Sequence, residues 1–184
     1  MLRDHPAAQG QSTIANEVTT LAERGIATGG IELRCDSDFV GRRMQEGLAR
    51  ILAGEMRELK LGNLEARRDW GHAREYVEAM WRMTQAPEPD DYVIGTGEAH
   101  SVRDFVALAF SLAGLDYQEF VVADKELYRP AEVNILQADS AKARVRLGWR
   151  HQTSFESVVQ EMVEADCRAL GVEDRLRGRK LATA

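Results

Sequence analysis

The sequence is poor in the residues that mark disulfide-rich, metal-binding and membrane-spanning proteins. Its 184 residues include two cysteines, Cys35 and Cys167, which have neither metal-ligand spacing nor the pattern of a disulfide framework. No apolar run approaches the roughly 18 residues of a membrane span. The first residues also lack the basic-then-apolar order of a signal peptide. We therefore expect a reduced, cytoplasmic protein with no membrane partner.

Positive charge is also scarce, because 24 Lys and Arg face 30 Asp and Glu and leave a net charge of -6. This balance argues against general nucleic-acid binding, and we expect no nucleic-acid partner. A local cluster of arginines can still hold one anionic ligand inside an acidic protein. Hydrophobic residues make up 44% of the chain and charged residues 29%, which is ordinary for a globular domain. The length is enough for one domain.

Apolar periodicity predicts a helix-rich α/β chain with short strands. Helices are predicted at Phe39–Gly54, Trp70–Met83, Val102–Leu112, Asp139–Gly148 and Phe155–Leu170, with a shorter one at Ile14–Arg24. Strands are predicted at Ile31–Cys35, Glu58–Leu61, Tyr92–Ile94 and Glu119–Val122. Ser101, followed three residues later by Asp104, has the pattern of a capping box at a helix start.

The two ends of the chain differ from its middle. Residues 1–38 are polar and lack a clear period, which predicts a divergent segment in loop or disordered conformation. Residues 39–170 carry the periodic elements and form the predicted folded domain. Residues 171–184 read as a charged flexible tail.

The stretch LGNLEARRDW carries the strongest local signal for an anion site. A Gly62–Asn63 turn leads to Arg68, which lies just ahead of a predicted helix. An arginine there is well placed to hold a phosphate, because its guanidinium is a planar fork of donors and a helix start adds partial positive charge. The alternative is a surface turn whose arginine pairs with a carboxylate such as Asp69 or Glu75.

Four segments resemble the GDP-mannose 4,6-dehydratase family, part of the extended short-chain dehydrogenase/reductase group. They are LGNLEARRDWGHAREYVEAMW, DYVIGTGEAHSVRDFVALAF, YRPAEVNILQADSAKARVRLGW and FESVVQEMVEAD, in the order that the family has. The resemblance runs from Phe39 to Asp166. It implies the C-terminal, substrate-binding portion of a Rossmann-type sugar-nucleotide dehydratase. Residues 39–170 would then be the sugar-nucleotide-binding domain, and the N-terminal Rossmann part would be missing.

The resemblance also implies which residues hold the nucleotide. They are Arg43, Gly62, Asn63, Arg68, Arg129 and Glu132. Arg43 stands where the family usually has Lys, and by the resemblance the Gly62–Asn63 turn would pass close to the base. Arg129 would contact the diphosphate, and the Glu132 carboxylate would accept hydrogen bonds from the ribose hydroxyls. Without the resemblance, Arg43 is a solvated helix residue, and Arg129 and Glu132 form a local ion pair worth roughly 0–1 kcal/mol if exposed.

The family reaction converts GDP-mannose to its 4-keto-6-deoxy derivative with a tightly held NADP. It requires a glycine-rich turn for the dinucleotide and a YxxxK pair for proton transfer. The sequence has no GxGxxG or GxxGxxG. The residues four positions after its tyrosines are Met80, Thr96, Val121 and Glu132. We therefore predict no catalytic residue, no metal site, and no cofactor bound by this chain alone.

We expect a GDP-mannose 4,6-dehydratase homologue whose chain is truncated, contributes only the GDP-sugar site and is inactive alone. The expected partners are GDP-mannose or GDP, together with either a second copy of the chain or a Rossmann-containing half. Two alternatives stay open. One is a binding or regulatory module that docks on an intact dehydratase. The other is a fragment of another sugar-nucleotide epimerase or dehydratase, which would prefer a thymidine or uridine diphosphate.

Overall fold

The computed structural model describes residues 40–128 and 133–177. Its helices are α1 Val40–Ala53, α2 Ala73–Thr84, α3 Val102–Leu112, α4 Ala141–Arg146, α5 Phe155–Ala169 and α6 Glu173–Arg177. Its strands are β1 Leu59–Leu61, β2 Arg67–Asp69, β3 Ala99–Ser101, β4 Val121–Ala123 and β5 Ile135–Leu136. Two 3-10 turns cover Tyr117–Glu119 and Lys125–Leu127. This helix-rich α/β architecture confirms the predicted fold class.

The main core lies where α1, α3 and α5 pack together over β1. The apolar stripe of α3 supplies its two largest fully buried aromatic rings, Phe105 and Phe110. Fully burying a side chain of this size stabilises a fold by about 1.5–3 kcal/mol. The ring of Trp70 covers Phe105 at 4.9 Å between centroids. The segment that follows β2 is therefore fixed directly on the core.

The predicted capping box defines the start of α3. The Ser101 side chain accepts a hydrogen bond from the Asp104 N–H, and the Asp104 carboxylate accepts one from the Ser101 N–H. Both backbone donors at this helix start are satisfied, so α3 begins and ends where the sequence predicts. His72 performs a similar task for α2, because its Nδ1 accepts from the Arg74 N–H while its Nε2 bonds Glu161 at 3.0 Å.

The strands form two small sheets. In the first, β1 pairs with β4 in parallel, with Lys60 opposite Val122. In the second, β2 lies between β3 and β5, antiparallel to β3 and parallel to β5, with Arg68 opposite both His100 and Leu136. Each sheet thus joins the LGNLEARRDW stretch to the part of the chain around residues 121–136.

Gly47 explains how α1 comes so close to β1. A helix-interior glycine costs up to about 1 kcal/mol relative to alanine. In this structure a Cβ on Gly47 would lie 2.6 Å from a methyl carbon of Leu59. The missing side chain therefore allows the helix to pack directly on the strand, and the packing offsets the lower helix propensity.

A second, smaller cluster joins α2 and α4. Trp149 and two alanines are buried at its centre, and Tyr76, Tyr92 and Ile94 pack around them. The Trp149 indole N–H donates to the Glu75 carbonyl at 2.8 Å. Trp81, which the apolar stripe of the predicted helix placed inside, is instead 48% exposed. The helix instead buries its small Ala79, which packs in the cluster with Ala143 and Trp149.

Several elements differ from the sequence prediction. The helix predicted from Trp70 begins at Ala73, and the strand predicted from Glu119 begins at Val121 because residues 117–119 form a 3-10 turn. Residues 92–94 are not a strand, since the described residues offer them no ladder partner. The helix predicted from Asp139 begins at Ala141, after its N-cap residue Ser140, whose hydroxyl donates to the Gly95 carbonyl. The predicted tail is also wrong for residues 171–177, where α6 buries Leu176 in the core.

Several predictions fall on residues that the structure does not describe. These are the helix at Ile14–Arg24, the strand at Ile31–Cys35 and the end of the tail from residue 178. In the part of the chain that is described, no helix is both long and apolar enough to cross a membrane.

Candidate functional site

The Gly62–Asn63 turn lies against the segment that leads to Arg129. A Cβ on Gly62 would lie 2.8 Å from the backbone oxygen of Leu127. Only a glycine permits this approach, since 2.8 Å is shorter than any ordinary Cβ contact. The Asn63 side chain accepts from the Glu65 N–H at 2.9 Å, which closes the turn. Both residues of the predicted turn are therefore fixed by local contacts.

Arg68 lies at the other end of the same segment. It occupies the central strand β2, and its guanidinium donates to the Val133 carbonyl at 2.9 Å and to the Arg67 carbonyl at 2.8 Å. The two carboxylates considered as its partners are engaged elsewhere. Asp69 bonds the loop after residue 95, and Glu75 bonds the loop at residues 152–153. Arg68 thus ties β2 to the start of the chain segment after residue 132.

Both contacts lie close in sequence to residues 129–132. The turn touches residue 127 and Arg68 bonds residue 133, so two parts of the LGNLEARRDW stretch meet the chain around the YRPAEVNIL segment. Arg129 and Glu132 themselves lie outside the described residues. What the fold establishes is that the two motifs, about 65 residues apart in sequence, are neighbours in space.

Arg43 lies in a groove between α1 and β1. The groove has a volume of about 330 Å³. Its walls are Arg43, Glu46, Gly47, Arg50, Met56, Glu58, Leu59 and Lys60. Within it Arg50 is paired with Glu46 at 2.7 Å. The groove includes Leu59 and Lys60 of β1, and β1 leads directly into the Gly62 turn.

Lys60 and Asp124 are residues of this region that sequence reasoning missed. Lys60 lines the groove, and its Nζ lies 3.9 Å from the Asp124 carboxylate. Asp124 also accepts from the Glu126 N–H, which starts the 3-10 turn before Tyr128. The sequence did contain a signal for Lys60. It lies between Leu59 and Leu61, and this alternation predicts a strand with Lys60 on the opposite face from the two leucines, which are both buried in the structure. The β1–β4 pairing connects the groove with the loop that precedes residue 129.

The Gly95–Thr96–Gly97 loop is filled by a carboxylate of the protein itself. Asp69 accepts from the Thr96 N–H at 2.8 Å, the Thr96 hydroxyl at 2.7 Å, the Gly97 N–H at 2.9 Å and the Ala138 N–H at 3.2 Å. Successive N–H groups of this kind form a concave anion site. Because Asp69 occupies this site, the loop has no room for the phosphate of a ligand.

Burial and charge set the protonation of this neighbourhood. Burial raises the pKa of Asp69, but the hydrogen bonds from Thr96, Gly97 and Ala138 outweigh it and hold the pKa below its ordinary value. Burial, with the charges of Asp69 and Glu75, raises the pKa of Tyr76 to about 12. Asp69 is therefore ionised and Tyr76 neutral near pH 7, which suits a structural role for both.

The Gly95–Thr96–Gly97 loop does not fit a dinucleotide cofactor. A cradle needs open glycine N–H groups where a strand meets a helix. The Thr96 and Gly97 N–H groups already bond Asp69, and α3 begins with a serine cap. We assign no cofactor contact to this loop. Within the same described ranges no group of three His, Cys, Asp or Glu side chains has the geometry of a metal site.

Comparison with known sequences identifies a family. The sequence profile of the GDP-mannose 4,6 dehydratase family matches residues 31–162, beginning eight residues before the predicted start of the resemblance. The chain is 47% identical over 133 residues to GDP-mannose 4,6 dehydratase 2 of Arabidopsis thaliana, covering 72% of this chain and 36% of the relative. It is 42% identical over 150 residues to the human GDP-mannose 4,6 dehydratase, covering 72% of this chain and 40% of the relative.

Solved structures share the fold at lower sequence identity. RMD from Pseudomonas aeruginosa, complexed with NADPH, superposes with a TM-score of 0.66 and 18% identity over 73% of this chain and 44% of that chain. The UDP-glucose 4-epimerase of Thermotoga maritima with UDP-glucose gives a TM-score of 0.62 and 22% identity over 86% of this chain and 52% of that chain. Both likenesses establish the architecture of the described domain.

The covered share of each relative and the extent of the profile match show how this chain corresponds to these proteins. The chain spans 36% and 40% of the two relatives above, so it corresponds to a portion of each. The profile match covers well over half of the chain and includes the stretch from Arg43 to the end of β5. This chain belongs to the GDP-mannose 4,6-dehydratase family.

Proposed function

We propose that this chain supplies the GDP-sugar-binding portion of a GDP-mannose 4,6-dehydratase. In this proposal Arg43, Gly62, Asn63, Arg68, Arg129 and Glu132 hold the nucleotide. The diphosphate lies between Arg129 and the positive charge of Arg68, the ribose hydroxyls bond Glu132, and the base lies along the Gly62–Asn63 turn. The reaction then converts GDP-mannose to the 4-keto-6-deoxy sugar in a complete enzyme, in the cytoplasm.

One observation carries the proposal. The Gly62 turn and Arg68 contact the chain on either side of residues 129–132, at residue 127 and residue 133. A glycine turn that lies on the backbone at residue 127 and an arginine that bonds the carbonyl of residue 133 support a nucleoside diphosphate as the ligand, with Arg129 and Glu132 in the same stretch of sequence. Arginine neutralises phosphate charge and donates hydrogen bonds to it, and a carboxylate can accept from two vicinal hydroxyls.

The chain alone is expected to bind GDP weakly and to turn over nothing. The groove beside Arg43 is open, and a ligand site normally encloses most of its ligand. NADP belongs, in this proposal, to a Rossmann-containing part that this chain does not supply. The described residues offer no glycine cradle for it, since Asp69 occupies the one glycine-rich loop considered.

Isothermal titration with GDP, UDP and dTDP tests the proposal. We expect GDP to bind with a Kd between about 0.1 and 10 mM, in line with roughly 3–5 kcal/mol from a half-enclosed site. Arg68→Ala removes a charge and releases Val133, and should weaken binding at least tenfold. Arg68→Lys keeps the charge but loses the planar arrangement of donors. Its GDP affinity should lie between those of the wild type and Arg68→Ala.

Arg144→Ala is the matched control for these variants. Arg144 lies on α4, is 3.9 Å from the Asp139 carboxylate and does not line the groove. Its loss should leave the GDP affinity unchanged. A preference for UDP or dTDP would instead support a fragment of another sugar-nucleotide enzyme. Equal affinity of the wild type and Arg68→Ala would remove the basis for the proposed site.

A further inference from the structure

The last described helix, α6, is too short to be stable by itself. It has five residues, and an isolated helix of fewer than about 12 residues is marginal in water. Val172, just before it, and Leu176, within it, are 8% and 6% exposed and belong to the main core. The family profile ends at residue 162, so α6 lies beyond the residues that the profile matches. The order of α6 therefore depends on its docking, and such elements are the ones that open locally.

Arg175 of α6 bonds the end of α1. Its guanidinium donates to the Leu52 carbonyl, in the last turn of that helix. In a continued helix this carbonyl would accept from the Met56 N–H, which instead bonds the Arg50 carbonyl at 3.3 Å. The final carbonyls of a helix have no intrahelical partner, and an arginine there satisfies one of them and complements the helix dipole. The α6 helix thus caps α1 from a distant part of the sequence.

The end of α1 also forms one wall of the groove that contains Arg43. The Arg50 carbonyl accepts from the Glu55 N–H at 2.9 Å as well as from the Met56 N–H, and these bonds turn the chain out of the helix. Arg50 and Met56 both line the groove. The bond from α6 therefore ends next to the turn that forms the groove wall.

Cys167 lies in the last turn of α5, where α6 packs back on that helix. Its carbonyl accepts from the Val172 N–H at 2.8 Å, and its side chain is fully buried. Burial, with the charges of Asp166 and Glu173, raises the pKa of the Cys167 thiol to about 11. Glu173 is the first residue of α6, so the thiol lies next to the docked helix. A thiol that is buried and protonated in this way reacts slowly near pH 8, which makes Cys167 a reporter of α6 release.

We propose that α6 is a detachable strap that controls the order of the groove wall. Docked, it caps α1 and fixes the turn at Glu55 and Met56. Released, it leaves the Leu52 carbonyl to water and exposes Cys167, and the groove wall becomes mobile. The inference goes beyond the proposed function, because it concerns the groove itself and not the nucleotide that the groove takes. A ligand that requires the ordered wall would in turn favour the docked strap, since the coupling of two sites is reciprocal.

Thiol labelling measures the release of α6. The chain has two cysteines, so Cys35→Ser leaves Cys167 as its single thiol. In that background we expect Leu176→Asp to raise the rate of reaction with DTNB at least about tenfold, because burying a carboxylate disfavours docking. Arg175→Ala should raise the rate about fivefold through the lost hydrogen bond. Asp174→Ala is the matched control, since Asp174 is an exposed residue of the same helix, and its rate should equal that of the background protein.

Hydrogen exchange followed by NMR measures the order of the groove wall. The amides of Glu55 and Met56 should exchange at least about fivefold faster in Arg175→Ala than in the background protein. The amide of Phe110, inside α3, should keep its protection, which separates release of the strap from unfolding of the domain. Should Leu176→Asp fail to fold, Arg175→Ala decides the question by the same two readouts, because it changes an exposed residue.

Three results would overturn the strap. One is labelling of Arg175→Ala at the rate of the background protein. Another is faster labelling with unchanged exchange at Glu55 and Met56. The third is loss of protection at Phe110 in step with those two amides, which would show that the whole domain opens.

The GDP titration separates this inference from the proposed function. We expect the GDP affinity to fall at least about threefold in Arg175→Ala, because GDP would bind the ordered wall. If the background protein binds no GDP, the proposed function fails, while labelling and exchange still decide the strap. GDP binding together with unchanged exchange at Glu55 and Met56 in Arg175→Ala overturns the strap and leaves the nucleotide site standing.

Discussion

Replacing Asp69 with asparagine should destabilise the domain far more than its conservative chemistry implies. Both oxygens of the carboxylate are used: one accepts from the Thr96 N–H and hydroxyl, the other from the Gly97 and Ala138 N–H groups. An asparagine can keep only one acceptor oxygen. Its amide NH2 would then face two backbone N–H donors.

The expected loss of stability in Asp69→Asn follows from these two lost hydrogen bonds. A hydrogen bond to a charged group contributes about 1.5–3 kcal/mol, and a donor left unpaired adds to the loss. Because Asp69 is only half-buried, water recovers part of this, and we expect a net cost of about 2–4 kcal/mol. With a urea m-value of about 2 kcal/mol/M, the unfolding midpoint should fall by about 1–2 M.

Glu75→Gln is the matched control, since the hydrogen bonds of Glu75 are distributed differently over its two carboxylate oxygens. Its Oε1 accepts all three bonds, from the Gln152 N–H, the Thr153 N–H and the Thr153 hydroxyl. Its Oε2 is buried and has no hydrogen-bond partner among the described residues. A glutamine can keep the accepting oxygen and place its NH2 on the empty side. We expect a cost below about 1 kcal/mol.

The assay is urea unfolding followed by tryptophan fluorescence, at several pH values. The folded pKa of Asp69 is lowered from an ordinary 3.8, so its ionised form contributes stability above that value and the contribution is lost as pH falls through the lower folded pKa. The gap between wild type and Asp69→Asn should therefore be full at pH 6 and shrink below pH 4. Equal costs for the two substitutions, or a gap independent of pH, would refute this reasoning.

Three further predictions concern stability and binding. Gly62→Ala should destabilise the fold by about 1–3 kcal/mol and weaken GDP binding, measured by urea unfolding and titration, because its Cβ would meet the Leu127 backbone at 2.8 Å. Ser101→Ala should cost about 1 kcal/mol through loss of the α3 cap, while Ser111→Ala, an exposed serine on the same helix, should stay within about 0.5 kcal/mol. Trp149→Phe should cost about 2–3 kcal/mol in thermal unfolding followed by circular dichroism, because it leaves a void and removes the indole hydrogen bond to the Glu75 carbonyl, and a change below about 0.5 kcal/mol would contradict the role of the second cluster.

Local signals in the sequence predicted the elements whose cause is local. Ser101 and Asp104, three residues apart, form the capping box at the start of α3. The predicted helix at Val102–Leu112 is confirmed at both ends. The α5 helix at Phe155–Ala169 likewise follows its own apolar stripe. The glycine at position 62 indicated a close approach of backbone, although only the structure shows that Leu127 is the partner.

Contacts between distant parts of the chain decided the rest. Asp69 was considered as a partner for its neighbour Arg68, but its donors come from residues 96, 97 and 138. Ser140 is a residue type that often caps helices, but its hydroxyl donates to the Gly95 carbonyl instead. Tyr92–Ile94 has strand composition and strand alternation, yet a strand also requires a neighbour, and no pattern within the segment reveals whether one is available.

The central claim is that one nucleotide site is formed where the Gly62 turn and Arg68 contact the chain on either side of residues 129–132. Titrating GDP into the isotope-labelled full chain and following backbone amide shifts by NMR tests this most directly. We predict saturable shifts at Gly62, Asn63 and Arg68 and in residues 127–134, with little change at Gly97, whose N–H is held by Asp69. Shifts centred on the Gly95–Gly97 loop, or none at 20 mM GDP, would contradict the claim.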